Sequence, residues 1–230
     1  MFTTLRKMHE FFAGQLVYPI ILSITLALSI YIGRVIFTGN WLIYRFLVWN
    51  LFLAWIPYFF SVFAAATYRL FPRSWWMLLL PGALWLVFFP NAPYIVTDFL
   101  HLRSRPPVPI WYDIGLLASF AWTGLFLAIA SLRTMHELVK AHAGWFAGWL
   151  FTALALALGG LGLYLGRFSR WNSWDLVTQP EQILLDIGYR FINPISNLRF
   201  FGFTFMFTAF LLVCYLMFVS VHRLGGSQEV

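Results

Sequence analysis

Ionisable residues of opposite character stand close together inside apolar sequence at two places in this chain. The first runs Phe88-Phe-Pro-Asn-Ala-Pro-Tyr-Ile-Val-Thr-Asp-Phe-Leu-His101. Pro90 and Pro93 each remove a backbone donor and interrupt a helix. A broken helix at membrane depth must be buried in protein or line a wet cavity. Asn91, between the prolines, is placed to cap the resumed helix or to meet a ligand. Asp98 and His101 are three apart, hence on one face of a continuing helix. They suit an acid–base pair, two ligands of a divalent metal, or a structural ion pair. The second place runs Arg167-Phe-Ser-Arg-Trp-Asn-Ser-Trp-Asp175. Guanidinium forks match carboxylate and phosphate, so Arg167 and Arg170 could neutralise Asp98, Asp113 and Asp175, or hold an anionic head group. Asp113 begins an apolar run, where a carboxylate also favours a helix N-terminus. The candidate catalytic residues are therefore Asp98, His101, Asp113 and Asp175. Candidate ligand-binding residues are Asn91, Arg167, Arg170 and Asn172, and Asp98 with His101 is the candidate pair for a divalent metal cofactor.

Other constellations carry less. Arg133-Thr-Met-His-Glu137 resembles a zinc-protease helix only in part, because position 140 is Lys where the second His belongs; a solvated loop is the expectation there. Cys214 is the only cysteine, so an intrachain disulfide and a cysteine metal cluster are excluded. No nucleophile elbow, Walker loop, dinucleotide fingerprint or haem motif is present, and no internal repeat stands out.

The elements that must position these residues are membrane helices. Hydrophobic residues make up 61% of the 230 and charged residues only 10%, with mean hydropathy +0.79, which excludes a soluble enzyme, a disordered tail and a coiled-coil rod. Six stretches reach the length of roughly 20 apolar residues needed to span a bilayer: about 17–37, 47–68, 75–96, 110–132, 145–168 and 200–222. Trp41, Tyr44, Trp49, Tyr68, Trp75, Trp111 and Trp145 gather near their ends, as interfacial belts do. The first run is long enough to be a retained span rather than a cleaved leader. Pro180–Leu198 is amphipathic instead, with Ile183, Leu184, Ile187 and Phe191 at helical spacing and Asp186 four residues before Arg190; about 180–193 is expected as an interfacial or re-entrant helix. Small residues from Ala153 to Gly166 permit close packing of the fifth span. The fold expected is all-α and polytopic, a single membrane domain over 1–230.

Six spans put both termini on one side and Asn50, Asn91, Asp98, His101, Asp113, Arg167, Arg170, Asn172 and Asp175 on the other. The terminal side carries Arg6, Lys7, Arg69, Arg73, Arg133, Lys140 and Arg223, and the opposite side Arg34, Arg45, Arg103 and Arg105 outside the long 167–199 connection. This bias favours cytoplasmic termini. The net charge of +7 is spread thinly between apolar runs, which points to lipid head groups and not to nucleic acid.

The wording FFPNAPYIVTDFLHL and GRFSRWNSWDL, with Trp111-Tyr-Asp113 and Ser119-Phe-Ala-Trp-Thr-Gly124, resembles the bacterial integral-membrane family known as domain of unknown function thirteen sixty-one. The resemblance runs from about Leu42 to Val219. It implies a multi-pass protein of a bacterial inner membrane and transfers no catalytic residue. From the residues themselves, three functions compete. A membrane-embedded enzyme would act on a lipid or lipid-linked substrate at the non-terminal face. A small transporter or channel would relay ions through the Asp, His and Arg groups. A structural subunit would use its Phe and Trp surfaces to pack against a second copy or a partner membrane protein.

Overall fold

The structure is a computed structural model that describes residues 2–226, and side chains from 6 to 221; Arg223 of the charge bias lies outside the described side chains. Among the described residues ten α-helices follow in order. An amphipathic helix α1 (Phe2–Gly14) meets α2 (Val17–Thr38) at Leu16, whose φ is 61°. α3 spans Arg45–Leu70. A short 3-10 turn leads into α4 (Leu79–Phe88), followed by the single turn α5 (Asn91–Tyr94) and a 3-10 segment Ile95–His101. α6 (Ile110–Ala143) and α7 (Trp145–Tyr164) are joined at Gly144, whose φ of 90° suits glycine and lets the chain reverse without a loop. α7 widens into a π-helical turn, Leu165–Ser169. α8 (Asp175–Thr178), α9 (Pro180–Ile192) and α10 (Leu198–Gly226) complete the chain.

Six of these segments are long and apolar enough to cross a membrane: 17–38, 45–70, 75–101, 110–143, 145–169 and 195–221. The chain is an all-α polytopic membrane protein, as its hydropathy indicates. α6 is the central post, contacting α2, α3, α7 and the 3-10 segment, and it buries Leu116, Phe120, Leu127 and Leu132 completely. The outer helices turn Leu22, Ile36, Phe146, Phe205 and other large apolar side chains outwards, the surface that lipid would cover.

Two segments differ from the sequence expectation. Residues 133–143 continue α6 as helix instead of forming a solvated loop. His136 is buried there, its Nδ1 2.6 Å from the Tyr215 hydroxyl and its ring 4.8 Å from Trp149. Gly148 makes the room, since a Cβ would lie 2.9 Å from the imidazole. The N-terminal charges belong to α1, with Arg69 of α3 4.6 Å above the Phe11 ring. The amphipathic segment near 180–193 is a helix as expected. It buries Ile183 and exposes Leu184, Leu185 and Ile192, so its second apolar face suits the membrane surface.

Candidate functional site

The third span is built to deform. With prolines at 90 and 93, the helix tightens after Phe88 into one α-turn and then a 3-10 segment. In a 3-10 helix residues three apart eclipse, which stacks Asp98 and His101 on one line. The deformed stretch is clamped by two close approaches. A Cβ on Gly124 of α6 would lie 2.5 Å from the Ala92 carbonyl oxygen, and one on Gly162 of α7 would lie 2.5 Å from Pro90 Cγ. Asn91 does not cap the resumed turn; its Nδ2 donates to Ser173 Oγ at 3.0 Å.

Facing this segment, the π-turn at the end of α7 presents Arg167. One extra residue in the turn rotates the side chains that follow, and such turns cluster at functional sites. Arg170, at φ 61°, ends the turn and is exposed. Arg167 Nη2 donates to Asp98 Oδ1 at 2.6 Å, Nε to Thr97 Oγ1 at 2.9 Å, and Nη1 lies 3.0 Å from His101 Nε2. The guanidinium lies 4.4 Å from the Tyr94 ring centroid. Asn50 of α3 donates to the other Asp98 oxygen at 2.7 Å. Asp98 is 1% exposed, so this pairing compensates a fully desolvated carboxylate. A guanidinium has donors only, so His101 meets it with the Nε2 lone pair and carries its proton on Nδ1.

The remaining carboxylates sit elsewhere. Asp113, in the first turn of α6, pairs with Arg34 of α2, Nε to Oδ1 at 2.7 Å and Nη2 to Oδ2 at 3.2 Å. Both are buried, and the Tyr44 hydroxyl donates to Asp113 at 3.3 Å. Burial, reinforced by the Asp113 charge, raises the Tyr44 hydroxyl above its ordinary pKa, which keeps it a donor. Asp175 accepts from the Asn172 backbone N–H at 2.7 Å and its side-chain amide at 3.2 Å, shaping the turn that precedes α8. The structure thus joins Asp98, His101 and Arg167 into one cluster and sets Asp113 and Asp175 apart from it. Arg34 and Arg167, each matched to one carboxylate, do the neutralising that Arg170 does not.

The donor set does not fit a metal. The Arg167 guanidinium fills the space between Asp98 and His101, so a cation there would meet a fixed positive charge. Among the described residues no three His, Cys, Asp or Glu side chains converge.

Beside this cluster lies a cavity of about 250 Å³. Asn50, Asn91, Tyr94, Asn172 and Ser173 give it polar walls, and Trp49, Trp171 and Trp174 give it rings. Asn50 and Tyr94 belong to both: each contacts the Asp98–Arg167 pair and faces the cavity. Trp171 also donates from its indole to Asp186 of α9 at 3.0 Å, and Arg190 pairs with Asp186 and reaches Ser169 at 3.2 Å, so α9 is stapled to the π-turn.

Arg34, Tyr44, Thr97, Tyr94 and Ser173 are not among the site residues that the sequence suggests. Arg34 had a readable signal, a charge inside the apolar run Ile30-Tyr-Ile-Gly-Arg-Val-Ile-Phe37; the others had none.

Fold and site together define a multi-pass α-helical membrane protein with two buried ion pairs and an amphiphilic cavity near one face. The family model described as protein of unknown function (DUF1361) matches residues 49–214, and the chain belongs to that family. Asn50, Asn91, Asp98, His101, Asp113 and Arg167 lie within the matched region, and Arg34 and Tyr44 precede it. Comparisons with curated proteins and with solved structures return no match.

Proposed function

We propose that this protein is a membrane-embedded enzyme of a bacterial inner membrane, acting on a lipid or lipid-linked substrate at the face opposite its termini. The observation that carries this reading is the sharing of Asn50 and Tyr94 between the cavity and the Asp98–Arg167–His101 cluster. A carboxylate, a guanidinium and a neutral imidazole beside an amphiphilic cavity are the groups that acid–base and electrostatic catalysis use. The basic residues of the terminal side favour cytoplasmic termini, an orientation that would set the cavity at the outer leaflet. Passage of a solute is less well served. Below Pro90 the tilted rings of Phe89, Trp85 and Phe151 pack at centroid distances of 4.8 and 5.5 Å, with Trp85 and Phe89 buried, an apolar plug towards the terminal face.

The test is lipid turnover. Protein reconstituted in liposomes of total bacterial lipid extract is incubated, and the lipid species are followed by mass spectrometry. Wild type should consume one species and form another. Asp98→Asn should slow this by roughly 100-fold or more, the scale of a lost acid–base or electrostatic group, while still migrating as a folded monodisperse protein. An unchanged lipid profile with wild type, or full turnover by folded Asp98→Asn, would overturn the proposal.

A further inference from the structure

The cavity's lining carries a chemical preference of its own. Among the described residues that line it, none is Asp, Glu, Lys, Arg or His. Arg167, whose guanidinium lies over the Tyr94 ring, is committed to Asp98, Thr97 and His101, and Arg170 is exposed outside the lining. A phosphate or carboxylate is held by guanidinium or ammonium groups, so this lining is a poor anion site. Its polar groups are three amides, a serine hydroxyl and a phenol, from Asn50, Asn91, Asn172, Ser173 and Tyr94. Amides both donate and accept, which matches hydroxyls, themselves donors and acceptors, better than it matches any ion. The rings of Trp49, Trp171 and Trp174 supply flat apolar faces with a polar edge, and the C–H face of a sugar ring packs on such a surface while its hydroxyls point to the amides.

We infer that the cavity binds an uncharged polyhydroxylated head group, that of a glycosylated lipid, rather than a phosphate or carboxylate. The volume of about 250 Å³ falls just under the roughly 300 Å³ at which small-molecule pockets begin, and so suits one sugar ring with its lipid tail left outside. Trp49 and Trp174 are each about half exposed at the rim, where indoles sit at a membrane interface and where the tail would leave. The Asn50 amide, donating to Asp98 at 2.7 Å, is polarised by that carboxylate, which strengthens its oxygen as an acceptor for a hydroxyl. This inference rests on the proposed lipid substrate and narrows its class.

The experiment measures the thermal unfolding midpoint of the whole protein in lauryldimethylamine oxide, a detergent without a sugar head that could fill the cavity. Three lipids are titrated: monoglucosyl diacylglycerol, phosphatidic acid and unmodified diacylglycerol. A saturable rise with the glucosyl lipid alone is the expected result, since a ligand that binds only the folded state stabilises it. Asn91→Ala and Trp174→Ala should each weaken that binding by about tenfold, the equivalent of one lost contact. Trp174 is a rim residue, so its variant keeps the test alive should Asn91→Ala misfold. An equal or larger rise with phosphatidic acid, an equal rise with bare diacylglycerol, or unchanged glucosyl-lipid binding in folded Trp174→Ala would overturn the inference. The two proposals fail separately. Glucosyl-lipid binding without lipid turnover removes the enzyme and keeps the site, whereas turnover confined to anionic lipids removes the sugar preference and keeps the enzyme.

Discussion

The Arg34–Asp113 pair permits a sharp energetic test. Both side chains are essentially out of contact with solvent, at 1% and 0% exposure, and they meet through two hydrogen bonds. The pair ties α2 to α6 at the non-terminal end. Breaking a buried pair by removing one partner leaves an uncompensated charge and costs about 3–5 kcal/mol. One kcal/mol moves the midpoint of a chain of this size by about 2–4 °C, so Arg34→Met or Asp113→Leu alone should lower it by roughly 6–20 °C. Replacing both by apolar residues removes both desolvation penalties together. Arg34 already wastes part of its donor capacity, because its Nη1 is buried without a hydrogen-bond partner, so less is lost with the pair than its short contacts suggest. The double variant Arg34→Met/Asp113→Leu should therefore unfold within about 4 °C of wild type, a change of roughly 1 kcal/mol. The measurement is a double-mutant cycle on detergent-purified protein by thermal unfolding. A double variant that falls by the sum of the two singles would show that the groups do not interact, and singles that fall by less than about 2 °C would show that the pair is solvated; either result refutes the reasoning.

Other outcomes follow from local geometry. Gly124→Ala would set a methyl 2.5 Å from the Ala92 carbonyl oxygen, an overpacking that costs about 1–3 kcal/mol, whereas Gly115→Ala, with nothing within 4 Å, should be neutral or stabilise by up to about 1 kcal/mol; both are read from the same unfolding midpoint. On α9, partial burial pushes the Asp186 carboxyl up, but hydrogen bonds from Arg190, Trp171 and Ser169 and the Arg190 charge outweigh it and hold the group below its ordinary 3.8. A carboxyl depressed in the folded state stabilises above its ordinary value and loses that contribution as pH falls through the depressed one. Limited proteolysis of the 170–195 segment should accordingly stay constant from neutral pH down to about pH 4 and rise below it, and Asp186→Asn should abolish that rise.

Most of the fold is legible because the bilayer simplifies it. Any apolar run of the right length must be a helix that satisfies its own backbone, so runs such as 17–37 and 110–132 name their elements directly. Parity of the spans then gathers Asp98, Asp113 and Arg167 at one end. Sequence does not reveal which carboxylate takes which arginine. Asp113 stands in line with Arg34 because α2 packs on α6, and that pairing depends on helix rotation, which hydropathy leaves open. The π-turn at Leu165–Ser169 is equally silent, since a single added residue in a turn changes no periodicity that can be read over so short a stretch. His136 was misread for a related reason. A charged stretch such as Arg133–His142 looks solvated until Gly148 and Tyr215 from other helices are known to enclose its one buried imidazole.

The two buried ion pairs have the same chemistry and different surroundings, and that difference is the ground for proposing one as site and the other as scaffold. Arg34 and Asp113 meet through two hydrogen bonds, and Tyr44 donates to the same carboxylate; the lining of the cavity includes none of the three. Arg167 and Asp98 form a single short contact between them, and each spends its other capacity on a neighbour. Asp98 takes Asn50, while Arg167 donates to Thr97, meets His101 and lies over Tyr94; of these neighbours Asn50 and Tyr94 line the cavity. A pair serving stability alone would gain from the closed arrangement, because each hydrogen bond sent outwards is one that must be satisfied by a further polar group at depth. The arrangement of Asp98 and Arg167 instead shares two of its neighbours, Asn50 and Tyr94, with the cavity lining. Its carrier is also the less regular part of the fold, a proline-tightened 3-10 segment against a π-turn, held by glycine contacts at Gly124 and Gly162. Backbone departures of this kind persist where neighbouring structure over-determines them, and they concentrate at functional sites. That coincidence of irregular backbone, shared polar contacts and an adjoining cavity is what supports the proposal of a functional role for Asp98, His101 and Arg167 and a scaffolding one for Arg34 and Asp113.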